Sequence, residues 1–349
     1  MKKNLLATSA LIAAGALFSS AALAEAKPIQ LKVGGYYEQW VGAIFQDSDV
    51  NTSRYADDVD VQEDGEIHFK GSMTADNGLT FGVNVQLEAA TSGDQIDESY
   101  LFVRGSFGEI VLGSENGPAY AMHYGTDIDK GYGLEEGDTS FYWFSGGSQN
   151  TMHTSRLTDI DNDGQKIRWI SPRMSGFQIG LSYTPEGRQD VDGRVPNEAQ
   201  NVGVFEQIIA GAVNFDQTFD DVRVRVSAGG QFVSDHNGAA SGGEDSVWGT
   251  ALGLRIGAGG FEGTVAWGHQ NGVAVSSTIA AKTIDTITAG IAYTDGPMGV
   301  SLTGAYGTTD GGTSSRDLSQ ITVQLGVGYK VGPGVSINGT AVYVNSDDV

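Results

Sequence analysis

The chain has 349 residues, 51 of them glycine and only 7 proline, with a mean hydropathy of -0.17. Forty-three acidic against 20 basic residues give a formal charge of -23, a field that repels nucleic acid and sets it aside as a partner. Cysteine is absent, which removes disulfide frameworks, thiolate metal sites and cysteine nucleophiles, and no run of about 20 apolar residues follows the first two dozen to suggest a helical membrane bundle.

The first element in chain order is a secretory signal. Lys2 and Lys3 form a positive start, Leu5 to Phe18 an apolar core, and Ala22-Leu23-Ala24 a small-residue cleavage site. Export with cleavage after Ala24 leaves 25–349 as the mature part. From about residue 29 onward the pattern has period two, the mark of strands with one apolar and one polar face. Leu79, Phe81, Val83, Val85 and Leu87 alternate with Asn84, Gln86 and Glu88; Ile167 and Trp169 alternate with Lys166 and Arg168; Val222, Val224 and Val226 alternate with Arg223 and Arg225.

The breaks between strands are of two kinds in strict alternation. Tight turns fall at Asp76-Asn77-Gly78, Ser106-Phe107-Gly108, Ser175-Gly176, Phe219-Asp220-Asp221, Gly257 to Gly260, Gly296 to Gly299 and Gly332-Pro333-Gly334. Looser polar connections lie near 46–60, 91–95, 114–163, 187–204, 235–245, 271–281 and 308–316. A soluble β-sandwich has no such asymmetry, whereas outer-membrane barrels have short turns on one side and long loops on the other. The predicted fold is therefore all-β, a transmembrane antiparallel up-and-down β-barrel. Fifteen strands are counted and an even number is expected, so Asn345 to Val349 reads as the start of an eighth external loop with a sixteenth strand to follow.

The third long connection, 114–163, far exceeds the roughly 12 to 15 residues that a compact fold leaves unstructured without a reason. It carries Tyr120, Met122, Tyr124, Phe141, Tyr142, Trp143 and Phe144, side chains that gain by burial against a wall, although an external loop packed on itself would also use them. It also holds Asp127, Asp129, Glu135, Glu136 and Asp138. Lys70, Arg168, Arg223 and Arg225 project from the polar faces of strands, and Arg104 joins them from a stretch apolar on both faces. A lipid-facing position rejects such charges at about 2 to 4 kcal/mol at the midplane, so they are expected to line the inside. An acidic loop then faces a basic wall across the pore.

Asp159-Ile160-Asp161-Asn162-Asp163-Gly164 has the spacing that gathers oxygen ligands for calcium through Asp159, Asp161 and Asp163. The twelfth position is Ile170 rather than Glu, so the segment is no EF-hand, and turn chemistry accounts for it equally well. A bound calcium would pin the base of the third connection. The histidines His68, His123, His153, His236 and His269 stand in no catalytic motif and read as solvated or pore-lining, which argues against an enzyme. Trp40, Trp143, Trp169, Trp248 and Trp267 suit either interfacial girdles or a sugar-stacking surface.

Gly34-Gly35-Tyr36 in the first strand, the stretch Tyr100 to Gly113 (YLFVRGSFGEIVLG) and the long loop after it resemble the general bacterial porins over essentially all of 29–349. The resemblance implies a 16-stranded homotrimer in the Gram-negative outer membrane, in contact with lipid and lipopolysaccharide. It also implies a third loop folded into the lumen and passive diffusion of small hydrophilic solutes and ions through a water-filled channel, without a required cofactor. The acidic excess points to weak cation preference. A substrate-specific channel and an outer-membrane barrel enzyme are the alternatives. Two features depart from the family pattern. The last residue is Val349 rather than an aromatic, and the second loop, about Thr91 to Gln95, is short for a latch onto a neighbouring subunit.

Overall fold

The computed structural model describes residues 29–45, 58–89, 95–131, 133–134, 154–157, 160–161, 163–187, 205–236, 247–272, 274–276, 279–280, 283–310 and 317–348. The predicted signal segment, Glu135, Glu136, Asp138, Trp143, His153 and Asp159 lie outside them. The strands are β1 (Gln30–Ile44), β2 (Asp58–Thr74), β3 (Thr80–Glu88), β4 (Ile96–Gly105) and β5 (Gly108–Ser114), after which a single helical turn, α1 (Pro118–Ala121), opens the third connection. Then follow β6 (Gln165–Ile170), β7 (Phe177–Glu186), β8 (Phe205–Phe219), β9 (Val222–His236), β10 (Val247–Ala258) and β11 (Phe261–Asn271). A small hairpin, β12 (Ala274–Ser276) with β13 (Ile279–Ala280), sits in the next loop and was not foreseen from the sequence. The chain continues through β14 (Thr283–Asp295), β15 (Met298–Asp310), β16 (Leu318–Gly332) and β17 (Val335–Asp348).

All strands except the small hairpin form one 15-stranded antiparallel sheet in simple chain order. All seven tight turns stand where the sequence places them. Gly78 adopts φ +83° beside the Gly78 N–H to Ala75 O hydrogen bond of 2.9 Å, a conformation that disfavours any residue with a Cβ. β1 and β17 end the order, and among the described residues neither pairs with the other. The expected sixteenth strand has no counterpart among these residues, and Asn345 to Asp348, read from the sequence as the start of an external loop, instead continue β17 in register with Ile321 to Leu318 of β16.

The sheet is inside out relative to a water-soluble fold. On β16, Ile321, Val323, Leu325 and Val327 are exposed, while Gln320, Thr322 and Gln324 between them are buried. On β10, Trp248, Leu252, Leu254 and Ile256 are exposed, while Gly249, Ala251, Gly253 and Arg255 are buried. An apolar band of that extent is untenable in water and is what hydrocarbon requires. The chain is thus an up-and-down transmembrane β-barrel whose polar residues face inward.

Candidate functional site

The third connection lies along the inner face of this wall, and its described residues can be followed strand by strand. At its start, Arg168 of β6 donates to Asn116 O at 2.7 Å and pairs with Glu115 at 3.3 Å and Glu109 at 3.4 Å. α1 then packs over β7 and β9, where Gly180 and Gly229 leave room for Pro118, Met122 and Ala119. Asn214 of β8 donates to Met122 O (3.2 Å), and Ser227 of β9 accepts from the Tyr124 N–H (2.8 Å). Gly125 O accepts from Arg255 of β10 (2.7 Å) and from Thr264 of β11 (2.9 Å). Thr126 and Thr288 of β14 join hydroxyls at 2.6 Å, and the Lys130 N–H donates to Ser301 of β15 at 2.9 Å. Lys130 then runs against Gly326 and Gly328 of β16, and Gly131 reaches Thr340 of β17.

The return limb follows the same wall. Thr288 donates to Ser155 Oγ (3.4 Å), and Gln231 of β9 donates to Leu157 O (3.3 Å). Leu157 is buried with Ala119, Ala210 and Ala251, and Ile160 with Ile208, Val233, Val247 and Ile284. The limb closes where Ser114 donates to Asp163 O. Wall glycines make the close approach feasible: a Cβ at Gly253 would lie 2.2 Å from Tyr124 O, and one at Gly268 would lie 2.5 Å from Ser155 O. Part of the high glycine content therefore serves backbone-to-backbone packing between connection and wall.

The charges fall into two groups. Toward the turn ends of β7 to β11, Arg223 forms a two-pronged pair with Asp216 (2.8 and 2.6 Å), and Arg225 pairs with Glu262 at 2.7 Å. Arg255 bonds Asp127 of the connection and lies 3.5 Å from Glu262. Tyr124 sits among them, its hydroxyl 3.5 Å from Arg173 and its ring centre 5.7 Å from the Arg225 guanidinium carbon. The second group is acidic: Glu66 on β2, Asp97 and Glu98 on β4, with Glu115 and Asp163 at the root of the connection.

The residues singled out from the sequence are distributed unevenly over these groups. Arg168 meets the connection at Glu115 and Asn116, and Arg225 meets it at the Tyr124 ring. Asp127 meets the wall through Arg255 and, within the connection itself, lies 3.6 Å from Arg156. Asp129 instead accepts from Thr303 of β15 (2.5 Å) and from the Leu134 N–H (3.1 Å). Lys70 is exposed on β2, in register with Lys32 and Asn84. Arg104 shares the phase of Tyr100 and Phe102, lies over the Phe102 ring at 4.2 Å and pairs with Glu109 beside the β4–β5 turn. The wall is not simply basic, because Asp216, Glu109 and Glu262 answer its arginines.

Arg255 is an inward cation absent from the sequence-based candidates, although Leu254-Arg255-Ile256 carries the same alternation as Val222 to Val226, and Lys166, on the polar face by its alternation but not among the candidate cations, is inward and buried as well. His269 departs from expectation. It shares the outward phase of Val265 and Trp267, between the rings of Trp248 (4.8 Å) and Trp267 (6.0 Å) and 2.9 Å from Asp285. Trp169, Trp248 and Trp267 all lie on the outer face, in the manner of a girdle, and Trp169 Nε1 donates to Phe107 O at 2.9 Å.

Of the aspartates with calcium spacing, Asp161 gives its oxygens to Ser182 (3.3 Å) and Thr184 and lies 3.7 Å from the fully buried ammonium of Lys166. Burial raises the Asp161 carboxyl above its usual range against the pull of Lys166 and the two hydroxyls. Asp163, 8% exposed, is pushed up to about 7 by burial first and next by the charge of Asp97. Its Oδ1 is buried without a hydrogen-bond donor among the described residues.

Solved structures share the fold. OmpT of Vibrio cholerae in its trimer form is 14% identical with a TM-score of 0.57, covering 92% of this chain and 89% of that one. OmpF of Salmonella typhi in complex with daunomycin is 13% identical with a TM-score of 0.59, covering 91% and 97%. The anion-selective porin of Comamonas acidovorans is 16% identical with a TM-score of 0.58, covering 92% and 90%. Among curated proteins, the uncharacterized protein RT0064 of Rickettsia typhi is 25% identical over 219 residues, 53% of this chain, and the chain spans about half of that relative's length (48%). The family model of the Gram-negative porins matches residues 7–349, and the chain belongs to that family.

Proposed function

We propose that the protein is an outer-membrane diffusion channel in which the 114–163 connection narrows a water-filled lumen. The observation that carries this reading is the path of the connection over the inner wall from β6 to β17, fixed by hydrogen bonds to inward residues of nearly every strand it crosses. A barrel of about this strand number is wide enough to hold an aqueous channel. Solutes pass with their hydration largely intact, sorted by size at the connection and by the charges around it rather than by chemistry, so no catalytic step is assigned. The constriction is lined by Arg168, Arg223, Arg225 and Arg255 with Asp127 and Asp129, while Lys70 and Arg104 act at its margins.

Weak cation preference follows from the balance of these groups. The wall arginines are largely answered by Asp216, Glu109, Glu262 and Asp127, whereas the chain as a whole keeps an excess of 23 negative charges. The working unit is a homotrimer in the outer membrane, delivered by the N-terminal signal and bounded by lipid and lipopolysaccharide. Reconstitution of the purified protein in a planar bilayer tests the reading. Large steps in threes, current rising linearly with salt, and a reversal potential of cationic sign under a salt gradient are expected. A silent bilayer would refute the channel, and saturable block by one solute would replace general diffusion with a substrate-specific site.

A further inference from the structure

We propose that Glu66, Asp97 and Glu98 form a binding site for a divalent cation of the calcium kind on the inner wall, distinct from the Asp159–Asp163 spacing. One carboxylate oxygen from each of the three lies within 4.8 Å of the others. The arrangement depends on a β-bulge. β3 and β4 run in register from Thr80↔Arg104 to Val85↔Ser99, but the next pair is Leu87↔Ile96, so Asp97 and Glu98 together stand opposite Gln86. Consecutive residues of a regular strand point to opposite faces, and the extra residue of a bulge removes that restriction. Two adjacent carboxylates are thereby brought toward Glu66 on the next strand but one.

A cluster of like charges does not define a site unless something in it calls for a cation, and Glu98 does. It is 7% exposed, its Oε1 accepts from Asn116 Nδ2 at 3.1 Å, and its Oε2 is buried with no hydrogen-bond donor among the described residues. A buried acceptor without a partner costs free energy that a cation would recover. Asp163 next to the cluster repeats the pattern, its buried Oδ1 having no hydrogen-bond donor among the described residues.

The outer groups are arranged as supports. Glu66 accepts from the Tyr36 hydroxyl at 3.1 Å and lies 2.5 Å from His68 Nε2, while Asn116 holds Glu98, so two of the three carboxylates are oriented from behind. An all-oxygen, all-carboxylate set selects a hard ion, and calcium tolerates irregular oxygen geometry better than magnesium. Because Asn116 belongs to the third connection, a bound ion would tie β2, β4 and the root of that connection together. The inference stands independently of the channel reading.

The test is calorimetric titration of CaCl2 into the full chain, purified in detergent and stripped with a chelator, alongside the isosteric variants Glu98→Gln and Asp97→Asn. Asp295→Asn, at the β14–β15 turn, controls for diffuse attraction to an acidic surface. The wild type and the control are expected to bind one calcium per chain with a dissociation constant of about 1 mM or tighter, and each site variant to bind at least tenfold more weakly. Terbium luminescence excited through tyrosine should report the same site through Tyr36, be displaced by CaCl2 and be lost in Glu98→Gln. Absence of saturable binding in the wild type would overturn the proposal. So would site variants that bind as the wild type does, or a control that weakens as much as they do.

Discussion

Arg255 of β10 donates one guanidinium nitrogen to both Asp127 and Gly125 O, so a single wall side chain grips the third connection by its backbone and by its charge. The Arg255 side chain is 6% exposed, while Asp127 is 34% exposed and keeps Arg156 beside it, so the main loss on removing the guanidinium is its bond to the Gly125 carbonyl. Arg255→Ala is expected to loosen this stretch at a local cost of about 1 to 3 kcal/mol. In single-channel recordings the variant should show larger and noisier conductance with increased cation preference. Unchanged conductance and reversal potential would show that the grip does not shape the pore.

Gly253 provides a steric counterpart to that experiment. A Cβ there would meet the carbonyl of Tyr124 at 2.2 Å, and backbone has no rotamer by which to withdraw. Gly253→Val should displace the connection from β10 without altering any charge. Conductance is expected to rise while ion preference stays close to wild type, which separates width from charge.

Asp163 gives a pH dependence of defined sign. Its folded pKa of about 7 lies above the unfolded carboxylate value, so the folded state holds the proton more tightly. Its contribution is fully present below about pH 4 and is lost as the pH rises toward 7. In chelator-containing buffer, Asp163→Asn should raise the thermal unfolding midpoint at pH 8 and leave it unchanged at pH 4. Heat-induced loss of the compact form on unheated gels measures it, and an equal shift at both pH values would contradict the assignment.

The outer face makes a demand of the opposite kind. Leu325 is exposed between Val323 and Val327 in the apolar band, and an arginine there would cost about 2 to 4 kcal/mol if the position is near the bilayer midplane. Leu325→Arg should lower the urea concentration at which half of the protein folds into vesicles, whereas Leu325→Val should scarcely move it.

The strands, the seven tight turns and the inward position of Arg168, Arg223 and Arg225 were legible because each depends on a local pattern of period two or on a glycine turn. The path of the third connection was not. The bond between Thr126 and Thr288 joins residues 162 apart in sequence, and no local spacing encodes it. Asp97 and Glu98 were hidden for another reason: strict alternation sends neighbours to opposite faces, and the bulge that unites them shows only in the pairing with β3. His269 was misplaced because a polar residue on the lipid-facing side is admissible only when something covers it, here Trp248, Trp267 and Asp285.

The path of the third connection also bears on the mechanics of the barrel. A thin cylinder of hydrogen-bonded ribbons resists stretching around its circumference but flattens easily under sideways load. A brace fastened at intervals to the interior, from Asn116 at β6 to Gly131 at β17, opposes that flattening much as an internal rib keeps a hose round. Detaching it would therefore soften the cross-section as well as widen it, and the two changes should arrive together.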